Sequence, residues 1–149
     1  MKTTIRQAVL QDAPAILRML TAMADTFNGS TPLTEEYVKV YLSSPSSKVL
    51  LAEIEGQAAG LLSYSLRPDL YHAATTCWVE ELVVLEEYRS QGVGGALLEN
   101  LLARLETEHC AEVSLAVLKD NLEAIRFYRS HGLTDEGLYL EKHFDSEKS

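Results

Sequence analysis

Residues 80–96 read EELVVLEEYRSQGVGGA, a run from an apolar strand into a glycine-rich turn that opens a helix. Gly92, Gly94 and Gly95 remove the side chains that would hold a ligand away from the backbone. A helix starting near Val93 aims its first N–H groups, which have no partner inside the helix, at the same place. Strand, glycine turn and helix start together make an anion-binding device, so a phosphate-bearing ligand is expected.

Working outward, the chain has 149 residues, 46% apolar and 23% charged. That is the size and composition of one ordinary soluble domain, able to bury roughly 68–70% of its unfolded surface without a disulfide or a metal. No apolar run reaches the roughly 18 residues a membrane helix needs. The start, MKTTIRQAVLQDAP, has no apolar stretch of the secretory kind, so the expected location is the cytoplasm. Cys77 and Cys110 are too far apart for a CxxC motif or a zinc site and read as reduced, buried apolar residues. A formal net charge of −9 with no cluster of Lys and Arg argues against nucleic acid as a partner. Excess acid of this kind serves solubility more often than recognition.

Thr3 to Ala8 reads as a first strand. Asp12 and Pro14 read as an N-cap and an early helical proline for a helix from Ala13 to about Asp25. Thr34 caps a second helix running to about Leu42, ended by SSPSS. Lys48–Ile54 and Ala58–Leu66, separated by Glu55, Gly56 and Gln57, form a hairpin signature. Arg67 to Ala74 is a polar excursion, and Thr76 to Leu85 is a nearly continuous apolar strand covered on both faces. After the glycine turn, Leu97, Leu98, Leu101, Leu102 and Leu105 share one helix face. Glu112 to Leu118 follows as a strand parallel to Thr76–Leu85, by the usual right-handed crossover. Asn121 to Ser130 is a last helix, closed by His131 and Gly132, and Leu133 to Phe144 can supply one or two closing strands.

The anion could belong to several ligands. A Walker A loop needs Lys and Ser or Thr after the last glycine, where this chain has Ala96 and Leu97. A dinucleotide fingerprint needs a glycine at Leu97 and an acid at the end of the next strand, whereas Glu112 begins that strand. The remaining pattern, Arg89-x-x-Gly92-x-Gly94, resembles the pyrophosphate loop of the GNAT superfamily of acyl-CoA-dependent N-acetyltransferases. A second signature, Asn121-x-x-Ala124-x-x-Phe127-Tyr128-x-x-x-Gly132-Leu133, is similar to that family's NxxAxxFYxxxGF, with Leu133 replacing Phe.

The resemblance implies an α/β fold of one domain, with a mixed central sheet flanked by helices and splayed parallel strands forming an acetyl-CoA cleft. It implies acetyl-CoA as acetyl donor, its pyrophosphate held by Arg89, Ser90, Gln91, Gly92, Val93, Gly94 and Gly95. The backbone around Leu82, Val83 and Val84 would hold the pantetheine arm, Leu82 and Val84 through freed hydrogen-bonding groups, with Asn121, Ala124 and Phe127 completing the cofactor side. Homodimer formation enters only as a habit of the family.

An alkylammonium of pKa about 10.4 must lose its proton before it can attack a thioester, a deficit of roughly 4.6 kcal/mol at neutral pH. Glu80 and Glu81 interrupt an apolar strand, where a carboxylate needs a function or a partner. Alternation puts Glu80 on the face of Trp78, Leu82 and Val84, and Glu81 on the opposite one. Polyamine acetyltransferases of the family carry a similar acid nine residues before the loop arginine, which makes Glu80 the expected base. The competing reading is a structural pair with Arg67 or Arg126. Tyr128 corresponds to the family's general acid for the departing thiolate, against a competing role in core packing. None of the four histidines has metal-ligand spacing, and no metal is expected; only His72 is placed to visit the substrate cleft.

The family's acceptor region corresponds to residues 26–41 and 67–75. Glu35, Tyr37, Asp69 and Tyr71 lie there and, with Glu81, would suit a small cationic amine such as a polyamine, an aminoglycoside or an amino-acid-like amine. Acetylation of protein N-termini or lysines is the competing enzymatic reading. A noncatalytic acetyl-CoA sensor of the same fold is the competing reading of another class.

Overall fold

A computed structural model describes residues 2–27 and 29–144. The chain falls into two compact units, one ending at Leu115 and the other beginning at Ala116. In the first, β1 (Thr3–Gln7) leads to α1 (Ala13–Thr26), α2 (Glu35–Ser43), β2 (Ser47–Ile54), β3 (Gln57–Asp69), β4 (Ala74–Val84), α3 (Val93–Thr107) and β5 (Glu112–Ser114). The sheet order is β1-β2-β3-β4-β5. The first three pairings are antiparallel and β4–β5 is parallel, a mixed sheet.

Apolar alternation places the helices. Val49 and Leu51 of β2, Leu61 of β3 and Val83 of β4 form a core with Ile16 and Met19 of α1 and Val38 of α2. The intervening residues Leu50 and Leu62 are buried as well, on the opposite face, where α3 brings Leu97, Leu98 and Leu101. Both faces being covered explains the continuous apolar runs.

The hairpin turns at Glu55 and Gly56, with φ of 52° and 78°, the two positive values a two-residue turn matching strand twist requires. Thr34 caps α2 through its Oγ1, which accepts from the Tyr37 N–H at 3.1 Å. Asp12 departs from expectation. Its carboxylate does not cap α1 but accepts two 2.8 Å bonds from Arg6 and one of 2.7 Å from the Val9 N–H, which folds the turn ahead of the helix. The Arg6 guanidinium holds this carboxyl below its ordinary range.

Three boundaries differ from the sequence reading. The polar excursion shrinks to residues 70–73, because β3 and β4 extend their pairing out to Asp69 and Ala74. The strand expected over 112–118 ends at Ser114. The second unit holds α4 (Leu122–Ser130), and residues 133–144 form no strand: alternation in a sequence provides a face but not a pairing edge. In α4 the Asn121 side chain accepts from the Ala124 N–H at 3.2 Å. Gly132, at φ 94°, ends the helix, and the Leu133 N–H turns back to the Tyr128 carbonyl at 3.1 Å.

Candidate active site

The site begins at an irregularity in β4. Ser63 pairs with Glu81, and the next β3 residue, Tyr64, pairs with Val79, so Glu80 is the extra residue of a β-bulge. Trp78 lies opposite Ser65, Glu81 opposite Ser63 and Val83 opposite Leu61. Cross-strand partners share a face, so Trp78, Glu81 and Val83 all point toward α1 and α2. The Glu80 carboxylate accepts from Ser65 Oγ at 3.2 Å on that same side. Strict alternation had put Glu80 and Glu81 on opposite faces; the bulge brings them together and gives Leu82 and Val84 to the other face.

The two carboxylates line a cavity of about 370 Å³ between the sheet and the first two helices. Ile16, Leu20 and Met23 of α1 supply one wall, at a spacing that keeps them on a single helix stripe. Tyr37, Val38 and Tyr41 of α2 supply another, and Val49, Leu61 and Ser63 the floor. Ser63 Oγ donates to the Glu81 carboxylate and accepts from the Glu81 N–H at 3.0 Å, which fixes this side chain from two directions. Burial pushes the Glu81 carboxyl above its ordinary value, the Ser63 hydrogen bond opposes that, and the Glu80 charge adds to it. Burial, followed by the charges of Glu80 and Glu81, likewise raises the Tyr41 phenol, whose hydroxyl donates to the Tyr64 carbonyl at 3.2 Å.

Beyond the bulge, β4 parts from β5. The parallel pairing covers only Thr76, Cys77 and Trp78. The Leu85 N–H donates to the Ala59 carbonyl at 2.9 Å, so by alternation Val83 bonds to β3 while the N–H and C=O groups of Leu82 and Val84 face the opposite, open edge. The Val84 carbonyl accepts from Arg89 Nε at 3.2 Å, whereas the Leu82 groups and the Val84 N–H have no strand partner among the described residues.

This edge runs into the glycine turn. Ser90 and Gly92 take positive φ of 65° and 78°, and a side chain added at Gly92 would meet no atom within 4 Å. Gly92 is the N-cap of α3, and the first helical bond joins Ala96 N–H to the Gly92 carbonyl at 3.0 Å. The N–H groups of Val93, Gly94 and Gly95 therefore have no acceptor within the helix. The open turn and this helix N-terminus fit an anionic, extended ligand.

Glu35, Asp69 and Tyr71 are not among the residues that line the cavity. Glu35 pairs with Lys39 at 3.5 Å on the exposed side of α2. Asp69 and Tyr71 sit on the exposed β3–β4 turn, where the Tyr71 N–H and His72 Nδ1 bind Asp69 at 2.9 and 2.8 Å. The ligand atoms of Asp69, His72 and Glu112 come within 4.8 Å of one another, at the surface and away from the cavity. Arg67 stacks over the Trp78 ring at 5.6 Å. In the second unit, Phe127 packs edge-on against Tyr128 at 5.2 Å and against His131 at 4.8 Å. Burial raises the Tyr128 phenol above its usual value, which keeps it protonated. Sequence reasoning missed Tyr41, Ser63 and Ser65, although two serines at i and i+2 in the apolar run LLSYSL are a signal of a polar patch on a buried face.

A family model, described as Acetyltransferase (GNAT) family, matches residues 16–133. The chain belongs to the acetyltransferase (GNAT) family. It is an enzyme of the N-acetyltransferase type, with the mixed sheet and flanking helices of that fold. This acetyltransferase is 27% identical to a thialysine N-epsilon-acetyltransferase of Mus musculus, over 97% of this chain and 94% of the relative. It is 30% identical to a spermine/spermidine N(1)-acetyltransferase of Bacillus subtilis (strain 168), over 63% and 62% of the two chains. An aminoglycoside acetyltransferase from an uncultured soil metagenomic sample shares the fold, with TM-score 0.82 and 21% identity over 96% of this acetyltransferase and 95% of that chain. Enzymes of the family use acetyl-CoA as co-substrate.

Proposed function

We propose that this acetyltransferase transfers an acetyl group from acetyl-CoA to a small primary amine held in the α1–α2 cavity, by direct attack with both substrates bound. The observation that carries the reading is the bulge: it turns two adjacent carboxylates into one cavity, immediately before the open strand edge that leads to the glycine turn. The relatives that act on thialysine, spermine and spermidine support an amine acceptor.

Acetyl-CoA would supply an acetyl group already activated as a thioester. Leu82 and Val84 would hold its pantetheine arm through their edge-facing backbone groups. The N–H groups from Val93 to Gly95, with Ser90, Gln91 and Gly92, would receive its pyrophosphate, and Arg89 would add positive charge beside them. Asn121, Ala124 and Phe127 remain assigned to the cofactor side by the family motif. Glu81, half-buried and hydrogen-bonded by Ser63, would hold the incoming ammonium. Glu80, exposed to solvent, would accept the proton whose removal costs roughly 4.6 kcal/mol for an ordinary alkylamine. Tyr128, protonated at neutral pH, would donate to the departing thiolate. The chain acts as a single acetyltransferase domain, as the extent of the family match across both units supports. We place it in the cytoplasm, in keeping with its free thiols at Cys77 and Cys110.

The test is thiol release from acetyl-CoA with a panel of amines. Glu80→Gln is expected to lower kcat, Glu81→Gln to raise the amine KM, and Tyr128→Phe to lower kcat, all three with acetyl-CoA binding retained. Full activity in all three variants would refute the mechanism, and tight CoA binding without turnover of any amine or peptide would favour a sensor.

A further inference from the structure

We infer that the preferred acceptor is a primary amine with a single ammonium group on an apolar body, an alkylamine or arylalkylamine; this rests on the cavity between α1 and α2 being the acceptor site. The charged groups lining that cavity are Glu80 and Glu81, adjacent in sequence and both on the bulge. Two neighbouring carboxylates provide for one ammonium: one to hold it and one to take its proton. The rest of the wall carries no charge: Ile16, Leu20 and Met23 from α1 with Val49 and Leu61 from the sheet offer a ligand dispersion, and of the hydroxyls there those of Thr31, Tyr41 and Ser63 already bond to Leu33, Tyr64 and Glu81.

A second ammonium on the same acceptor would meet no further acid on that wall. The acids that a polycation would need are turned away from it, Glu35 toward Lys39 and Asp69 toward His72. A cation taken from water without an anionic partner is costly, so a diamine binds worse than the monoamine of equal length. An acceptor bearing a carboxylate fares no better. No Lys, Arg or His lines the cavity among the described residues, and Glu80 and Glu81 repel a third acid. An apolar chain, by contrast, gains with every methylene it buries.

The experiment follows thiol release by the full chain with acetyl-CoA and n-alkylamines of increasing length, phenethylamine, 1,6-diaminohexane, spermidine and lysine. The expected result is a kcat/KM that climbs about fourfold per added methylene, the equivalent of about 0.8 kcal/mol each, until the cavity is filled. Hexylamine should exceed 1,6-diaminohexane by about tenfold or more. A flat alkylamine series, or spermidine or lysine turned over as well as hexylamine, overturns the inference while leaving amine acetylation intact. Absence of release with every amine overturns both. Met23→Glu, at a half-buried position on the α1 stripe, adds a carboxylate to the wall and is expected to narrow the gap between hexylamine and its diamine about tenfold. An unchanged gap in the folded variant counts against the inference.

Discussion

Replacing Gly60 by Ala tests whether the close approach of β3, β4 and α3 sets the geometry of the cofactor edge. A Cβ at Gly60 would sit 2.6 Å from the Val83 carbonyl oxygen, 3.2 Å from Val93 Cγ1 and 3.4 Å from Leu97 Cδ1, and real Cβ contacts essentially never fall under 3.0 Å. The nearest atom is backbone, so no rotamer change relieves the clash; β4 must move, or α3 must lift. Overpacking of this sort costs about 1–3 kcal/mol. Loss of glycine freedom in the unfolded chain returns about 0.4–1 kcal/mol. The net destabilisation of about 1–2 kcal/mol corresponds to a fall in Tm of about 3–6 °C for a chain of this size. Because Val83 lies between Leu82 and Val84, the same displacement should weaken acetyl-CoA binding. Differential scanning calorimetry and isothermal titration with CoA measure both effects. Gly137→Ala is the control: no atom lies within 4 Å of its added Cβ, and its stability should stay within about 0.5 kcal/mol of the parent. A Gly60→Ala protein with the parent Tm and parent CoA affinity would refute the reasoning.

Two further perturbations follow from the electrostatics. Ser63→Ala removes the hydroxyl that stabilises the charged form of Glu81, so its carboxyl, already raised by burial, rises further. If that carboxylate holds the ammonium, the acid limb of kcat/KM against pH shifts upward and the amine KM at neutral pH increases about 3- to 10-fold; a pH profile identical to the parent's would be the contrary result. Asp12→Asn removes a charge whose folded pKa lies below its unfolded value of 3.8 because of Arg6. The stabilisation is therefore present above about that pH and is lost as pH falls through the folded value. Chemical denaturation should show the variant weaker by about 1–2 kcal/mol at pH 7 and the difference closing below pH 4, whereas a constant difference would contradict the sign.

Much of the architecture was legible because local signals and burial agreed. The two-residue turn at Glu55 and Gly56, the leucine face of α3 and the glycine turn at its start each follow from one residue type meeting one backbone requirement. The features that escaped depend on partners distant in sequence. Asp12 reads as a helix cap until Arg6 competes for its carboxylate. The strand after Cys110 reads as longer than it is because its neighbour β4 leaves it after Trp78. Glu80 and Glu81 read as opposite-facing because alternation assumes an unbroken ladder. One trace of the break was present: Trp78 and Val83, five positions apart, cannot share a face in a regular strand, yet both suit an apolar one. The roles of individual site residues were legible only through resemblance, since a carboxylate in a strand has the same letter whether it serves as a base or as an orienting group.

The bulge also fixes a phase. Upstream of Glu80, β4 keeps step with β5; downstream, its backbone groups are offered outward in the opposite rhythm, and the cavity lies at the junction. Deleting that one residue would restore regular pleating without moving any other partner, because Tyr64–Val79 and Ser63–Glu81 are already consecutive along β3. Val83 would stay opposite Leu61 in the core, and Leu82 and Val84 would keep the open edge; the loss would be the Glu80 carboxylate from the cavity. The length of this strand is thus constrained separately from its composition: the one residue that β4 has in excess of β3 is what sets two adjacent carboxylates on one face, and its removal would take an acid from the acceptor half while leaving the cofactor half as it stands.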